Sequence, residues 1–152
     1  TVLTRFATTA KSKKVGQRAK QAYDLVLEYD PDHAQARREL GFQKAGGNWV
    51  ALPPEKRPKW RDKASYEDRF KVVFEWAETA KKLSAAHAAL GVRLKEAGDE
   101  RGRYHLEKAV YYDPNNEPAN LALGHKKGDG FYGTDKQIEF VRRMKSIERT
   151  AV

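Results

Sequence analysis

Cysteine is absent from the chain, and that one absence removes disulfides, thiolate metal sites and a cysteine nucleophile. It leaves the compartment open. No apolar run approaches the ~20 residues that a membrane span requires. The opening TVLTRFATTA lacks a basic segment followed by an apolar core, so it is not an intact signal peptide. A soluble chain is expected, either a processed protein or a domain excised from a longer one. Catalytic signatures are missing too. No Ser stands in a G-x-S-x-G elbow, no GK[ST] phosphate loop occurs, and His33, His87, His105 and His125 show neither H-E-x-x-H nor paired i, i+4 spacing. Glu96, Asp99 and Glu100 cluster at a turn, where helix capping and the helix dipole account for them. These absences argue against an enzyme and give no catalytic residue, no cofactor and no metal site.

What is present is charge and helical periodicity. Across 152 residues, 34% are charged and 39% hydrophobic, a composition that folds but is very polar at the surface. A chain of this length can bury roughly 70% of its unfolded surface, so one compact domain with a real core is expected. Thirty Lys plus Arg against 21 Asp plus Glu leave a net charge of +9, which attracts nucleic acid, anionic lipid or an acidic protein but says nothing about fold.

The stretch Gly98 to Gly133 holds a helix, an Asp-Pro stop, a short second helix and a glycine turn, and stepping back 83 residues finds it again. Asp113-Pro114 falls on Asp30-Pro31, Tyr112 on Tyr29, Ala119 on Ala36, Leu123-Gly124 on Leu40-Gly41, Lys127 on Lys44 and Gly130 on Gly47. Agreement without gaps reads as duplication, and a duplicated supersecondary unit decides the architecture. In each copy Asp-Pro closes one helix and opens the next, because proline disfavours helical geometry in the residue before it and fits the first turn after it. Gly46-Gly47 and Asp129-Gly130 are favoured two-residue hairpin turns. They predict short hairpins at about 42–50 and 125–133, with Lys44 opposite Trp49, Phe42 opposite Ala51, and Lys127 opposite Tyr132.

In chain order, a short helix is expected over 2–10 and a clear helical face from Gly16 to Tyr29. Leu52 to Lys63, with three prolines and a run of basic charge, reads as an extended, solvated connector. Ser65 with Asp68 marks a helix start. Phe70, Val73, Phe74, Ala77, Ala80, Ser84, His87, Ala88, Gly91 and Leu94 then keep helical spacing, as one long helix or two nearly collinear ones. Thr134 with Gln137 forms a capping box ahead of a last helix whose buried stripe is Ile138, Val141, Met144 and Ile147. The organisation expected is a first unit over 1–51, a linker over 52–64, a second unit over 65–133 and a C-terminal helix over 134–152. The expected core is Ala19, Tyr23, Val26, Leu40, Phe70, Phe74, Leu90, Leu94, Leu106, Ala109, Leu123, Ile138 and Val141.

At LGVRLKEAGDERGRYHLEKAVYYDPNN the chain resembles a tetratricopeptide repeat, with Leu90, Gly91 and Leu94 in the first helix, Gly102, Leu106 and Ala109 in the second, and Pro114 as the stop. In the first unit Ala19, Tyr23, Val26 and Pro31 take the second-helix roles. The chain departs from the family's pattern where His87 stands at a large first-helix position, and where each Leu-Gly after the proline leads into a glycine hairpin. That ending is similar to repeat segments of large bacterial multidomain proteins. The resemblance implies an all-α fold of two helical-hairpin units, each carrying a small β-hairpin. It also implies a non-catalytic scaffold that binds a protein or peptide in a groove formed by Ala85, Ala88, Val92, Lys95 and Glu96.

The alternative is a nucleic-acid contact, with Lys56, Arg57, Lys59, Arg61 and Lys63 in the linker and Arg142, Arg143 and Arg149 near the C-terminus touching phosphates. The spread of Lys and Arg over every segment, without interleaved stacking aromatics, weighs against it. Trp49 and Tyr132 either face a partner beside Lys44 and Lys127 or fold back to seal their units, and the second is expected.

Overall fold

The computed structural model describes residues 1–150, with side chains as far as Arg149. It is mostly helical, 66%, with seven helices and two small two-stranded antiparallel sheets among the described residues, as the periodicity and the glycine turns require. The order is α1 (Val2–Ser12), α2 (Gly16–Tyr29), α3 (Ala34–Glu39), β1 (Phe42–Ala45), β2 (Asn48–Ala51), a single 3-10 turn at Pro54–Lys56, α4 (Tyr66–Glu96), α5 (Arg101–Tyr112), α6 (Glu117–Ala122), β3 (Lys126–Gly128), β4 (Phe131–Gly133) and α7 (Asp135–Thr150). Residues 151 and 152 of the expected last helix lie outside the described residues. The stretch after Ser65 is one helix of 31 residues. The chain divides into two compact units, Thr1–Thr79 and Ala80 onward, and the border falls inside α4.

In the first unit α1 and α2 pack through small residues. Ala7, Ala10 and Ala19 are wholly buried, and Tyr23 is enclosed with its hydroxyl 3.3 Å from Thr8 Oγ1. Phe6 meets Trp76 of α4 with ring centroids 5.2 Å apart. In the second unit Ser84 lies against Ala109, His87 against His105 and Gly91 against Leu106, so α4 and α5 run antiparallel. Ser84, fully buried, donates to the Ala109 carbonyl at 2.7 Å and accepts from Asn116 Nδ2 at 2.8 Å, so its hydroxyl is satisfied in both directions. The helices meet closely at two glycines. A Cβ on Gly91 would stand 2.8 Å from Leu106 Cγ, and one on Gly102 would stand 2.7 Å from the Lys95 backbone nitrogen.

The duplication is structural. α3 and α6 have the same bounds at the offset of 83 residues, and so do their closing glycines, Gly41 at φ +87° and Gly124 at φ +81°. His33 Nδ1 caps α3 by accepting from Ala36 N at 3.3 Å, where Asn116 Oδ1 accepts from Ala119 N at 3.0 Å. Arg37 Nε donates to the Pro31 carbonyl at 2.7 Å, and Asn120 Nδ2 donates to the Pro114 carbonyl at 2.9 Å. Both hairpins carry the expected registers, Lys44 opposite Trp49 and Lys127 opposite Tyr132. Their turns have positive φ at both central residues, +57° and +86° at Gly46-Gly47 and +55° and +89° at Asp129-Gly130, the geometry that matches strand twist.

The expected core needs correction in α4 and α7. Phe70 and Phe74 are 53% and 59% exposed and Leu90 is 43% exposed, while Leu40, Leu94, Leu123 and Val141 are half-buried. In the first unit α4 turns Val72 and Thr79 inward and sets Trp76 on Phe6; in the second it buries Ser84, His87, Ala88 and Gly91. The helix therefore changes its buried face along its length, and one unbroken periodicity concealed the change. Among the described residues of α7 only Ile138 is buried, against Gly128, and Met144 and Ile147 are exposed.

Leu106→Ala should cost about 2 to 5 kcal/mol through the lost transfer term and the cavity. Leu90→Ala, at an exposed position, should stay within about 1 kcal/mol. Urea titrations of both variants check the pair; equal losses would show that the second unit's core is misplaced.

Candidate functional site

Of the groove implied by the resemblance, Ala88 lies inside the chain and Val92 is half-buried, while Ala85, Lys95 and Glu96 stay at the surface. Ala88 is 4% exposed in a cluster with Leu106, Ala109 and Ala119, and Val92 packs against that cluster. Lys95 donates its ammonium to the Ala122 carbonyl, while Ala85 and Glu96 are exposed. The reason is local: α5 and α6 cover the part of the α4 face that holds Ala88 and Val92. A cleft of about 550 Å³ remains beside Lys95, reaching Arg103, Glu107 and His125. Its charges are mixed, and the Arg103 guanidinium is paired with Glu107 at 2.8 Å.

The histidines are brought together only in one place. His87 and His105 share a hydrogen bond between their Nδ1 atoms at 2.9 Å, and the Tyr112 ring stacks on His87 at 5.8 Å. Two imidazoles without a third ligand do not make a metal cage, and no group of three ligating side chains occurs among the described residues. His33 caps α3, and His125 Nδ1 bonds Asn120 Oδ1 at 2.8 Å. At the hairpins, Trp49 is half-buried with its indole nitrogen covered and without an acceptor. Tyr132 is half-buried, and burial together with the Glu117 carboxylate pushes its phenol up.

Two surfaces stand out instead. The first is apolar. Tyr66, Phe70, Val73 and Phe74 project from the first half of α4 at 85%, 53%, 57% and 59% exposure, and Ala77 continues the row. Spacings of three and four residues put them on one helix face. Tyr66 stacks on Phe70, whose ring meets Phe74 edge-on at 4.7 Å, so the aromatics form a connected strip. A shorter row of Phe140, Met144 and Ile147 is exposed on α7.

The second surface is basic, and it exists because the linker is not free. The Gln17 amide donates to Asp62 Oδ1 at 3.0 Å and its side chain donates to the Trp60 carbonyl at 2.7 Å. Lys63 N donates to the Lys14 carbonyl at 2.9 Å, and Val15 forms a bridge with Asp62. Gly16 lets this happen: a Cβ there would stand 2.7 Å from the Arg61 carbonyl oxygen. Docked in this way, the linker closes a cleft of about 350 Å³ lined by Lys11, Lys14, Lys59, Trp60, Arg61 and Lys63. Lys11 is paired with Glu39 at 2.5 Å. Lys14, Lys59, Arg61 and Lys63 have no carboxylate partner among the described residues.

Of the expected anion contacts, Lys59, Arg61 and Lys63 thus share one cleft, joined by Lys11 and Lys14, which were not among the expected contacts. Lys56 and Arg57 do not line it, and Arg57 Nε donates instead to the Leu52 carbonyl at 2.7 Å. On α7, Arg142 is held by Asp129 at 2.9 Å, while Arg143 and Arg149 are exposed. No helix among the described residues is long and apolar enough to cross a membrane. No protein-family model, curated protein or solved structure matches the chain.

Burial of His87, with the charges of His105 and Lys108 beside it, holds its imidazole below the ordinary histidine value. The unfolded chain then takes up a proton at position 87 first as pH falls, so the stability His87 contributes is intact above about 6.5 and is lost on acidification toward the lower folded value. Urea midpoints should fall between pH 7 and 5, and His87→Gln should flatten that slope. A variant with the wild-type pH dependence would assign the effect to another group.

Proposed function

We propose that the chain is a non-catalytic protein–protein interaction module of the tetratricopeptide type, which engages its partner through the open face of α4 rather than through an internal groove. The observation that carries this reading is the strip of Tyr66, Phe70, Val73 and Phe74, four large apolar side chains more than half exposed and contiguous on one helix. Scattered apolar residues on a surface need no explanation, but a contiguous aromatic strip marks an interface. Aromatic side chains also carry much of the energy where partners meet. The antiparallel α4–α5 pair, drawn close by Gly91 and Gly102, supports the repeat type, and the burial of Ala88 with the half-burial of Val92 moves the contact face away from the family's usual groove.

A row with this spacing suits a partner segment that is itself an amphipathic helix, laid along the strip with its apolar stripe inward. A photo-crosslinking residue at Val73, used in native extract, should give discrete adducts that vanish in a Phe70→Glu/Phe74→Glu background. Because both phenylalanines are exposed, that background should shift the unfolding free energy by no more than about 0.5 kcal/mol. Adducts that persist there, or that appear equally from a crosslinker at Lys82, would remove the α4 face from consideration.

A further inference from the structure

We propose that the cleft between the α1–α2 turn and the docked linker is a phosphate site for single-stranded nucleic acid, one nucleotide deep, with phosphate oxygens on Lys14, Lys59, Arg61 and Lys63 and a base against Trp60. This lies beyond the protein-interaction reading and does not depend on it.

Four cations without carboxylates around one small cleft are the first observation. Like charges gathered at close quarters repel one another, and a chain with 21 Asp and Glu had acids to spare for the position. Three acids on the same or contacting segments are committed elsewhere: Asp62 accepts from the Gln17 amide at the start of α2, Asp68 takes Lys13 at 3.2 Å, and Glu39 takes Lys11. The second observation is backbone geometry. Lys14 closes α1 in the left-handed conformation at φ +60°, with Val15 N donating to the Ala10 carbonyl at 2.9 Å, and this fixes where its side chain and carbonyl leave the helix end. Its carbonyl accepts from Lys63 N, so the same residue that contributes a cation also fastens the linker that contributes the others.

The third observation chooses among anions. Trp60 lines the cleft beside the cations, with its ring 6.1 Å from that of buried Tyr23, so the indole is backed by the core. Aromatic rings accept bases by stacking while Lys and Arg track the phosphates, the usual arrangement for single strands. About 350 Å³ is room for one nucleotide and far too little for a duplex.

Fluorescence anisotropy with a labelled mixed-sequence single-stranded DNA of ten nucleotides, from 50 to 300 mM salt, tests the assignment. Wild type should bind with a log–log slope of about −0.7 to −1.4, for one or two phosphates at roughly −0.7 each. Lys59→Ala/Arg61→Ala/Lys63→Ala should lose at least tenfold in affinity at 50 mM salt and show a shallower slope. Lys14→Gly should bind more weakly and yet unfold at a higher temperature, since glycine accepts the left-handed conformation; a purely structural lysine would not give that combination of signs. Trp60→Leu should weaken the oligonucleotide and leave competition by inorganic pyrophosphate unchanged. Arg142→Ala/Arg143→Ala should bind as wild type does. Absence of binding at 50 mM salt overturns the proposal, as does an equal loss in the α7 and linker variants, which would assign binding to diffuse charge. Displacement of the DNA by oligoglutamate of equal charge would make the cleft a general polyanion site, and an unaltered oligonucleotide affinity in Trp60→Leu would make it a site for free phosphate. None of these outcomes bears on the crosslinks from α4, so the two readings fail separately.

Discussion

The contact between a helix start and a stretch of extended backbone governs the first unit. At Gly16 there is no Cβ, so the Trp60–Arg61 backbone can lie against the beginning of α2. Once it lies there, Asp62 reaches the Gln17 amide, Lys63 pairs with Lys14, and a basic, proline-rich segment becomes one wall of a cleft. A larger residue at position 16 would push the linker away and scatter the same lysines into solvent. The second unit rests on the same device. Gly91 and Gly102 let α4 and α5 approach until Leu106 fills the space between them, and the buried Ser84 hydroxyl fits only because the helices are that close.

Most of the architecture was legible from spacing. Asp-Pro punctuation, Leu-Gly endings and glycine turns at a constant offset located the short helices and both hairpins. The duplication survives where identity does not, because each position imposes a chemical demand that more than one residue meets. Histidine and asparagine cap equivalent helices, arginine and asparagine donate to equivalent proline carbonyls, and Lys44 over Trp49 at 5.5 Å matches Lys127 over Tyr132 at 5.7 Å. A comparison of letters sees only part of this agreement.

The site was less legible, for two physical reasons. Periodicity reports that a helix has an apolar face but not whether anything covers it, so Phe70 and Phe74 read as core when they are surface. Composition reports that a linker is basic but not whether it is pinned. The hydrogen bonds that dock residues 60–63 come from Gln17, Lys14 and backbone groups, none of which has a distinctive sequence signature. Lys11 and Lys14 were correspondingly invisible as partners of Lys59 and Arg61 until tertiary contacts joined them. Ala88 shows the reverse error: small and on the expected face, it was read as groove floor but serves as the surface on which α5 and α6 rest.

Trp49, Trp60 and Trp76 all belong to the first unit, and the second, from Ala80 onward, has no tryptophan. Indole emission therefore sees only half of the molecule, whereas the far-ultraviolet signal of the helices sums both halves. α4 runs without interruption through the border at Thr79–Ala80, so among the described elements it is the one shared by both compact units. Denaturation curves from the two optical signals will superimpose if that helix transmits unfolding from one unit to the other, and they will separate if it frays at the border.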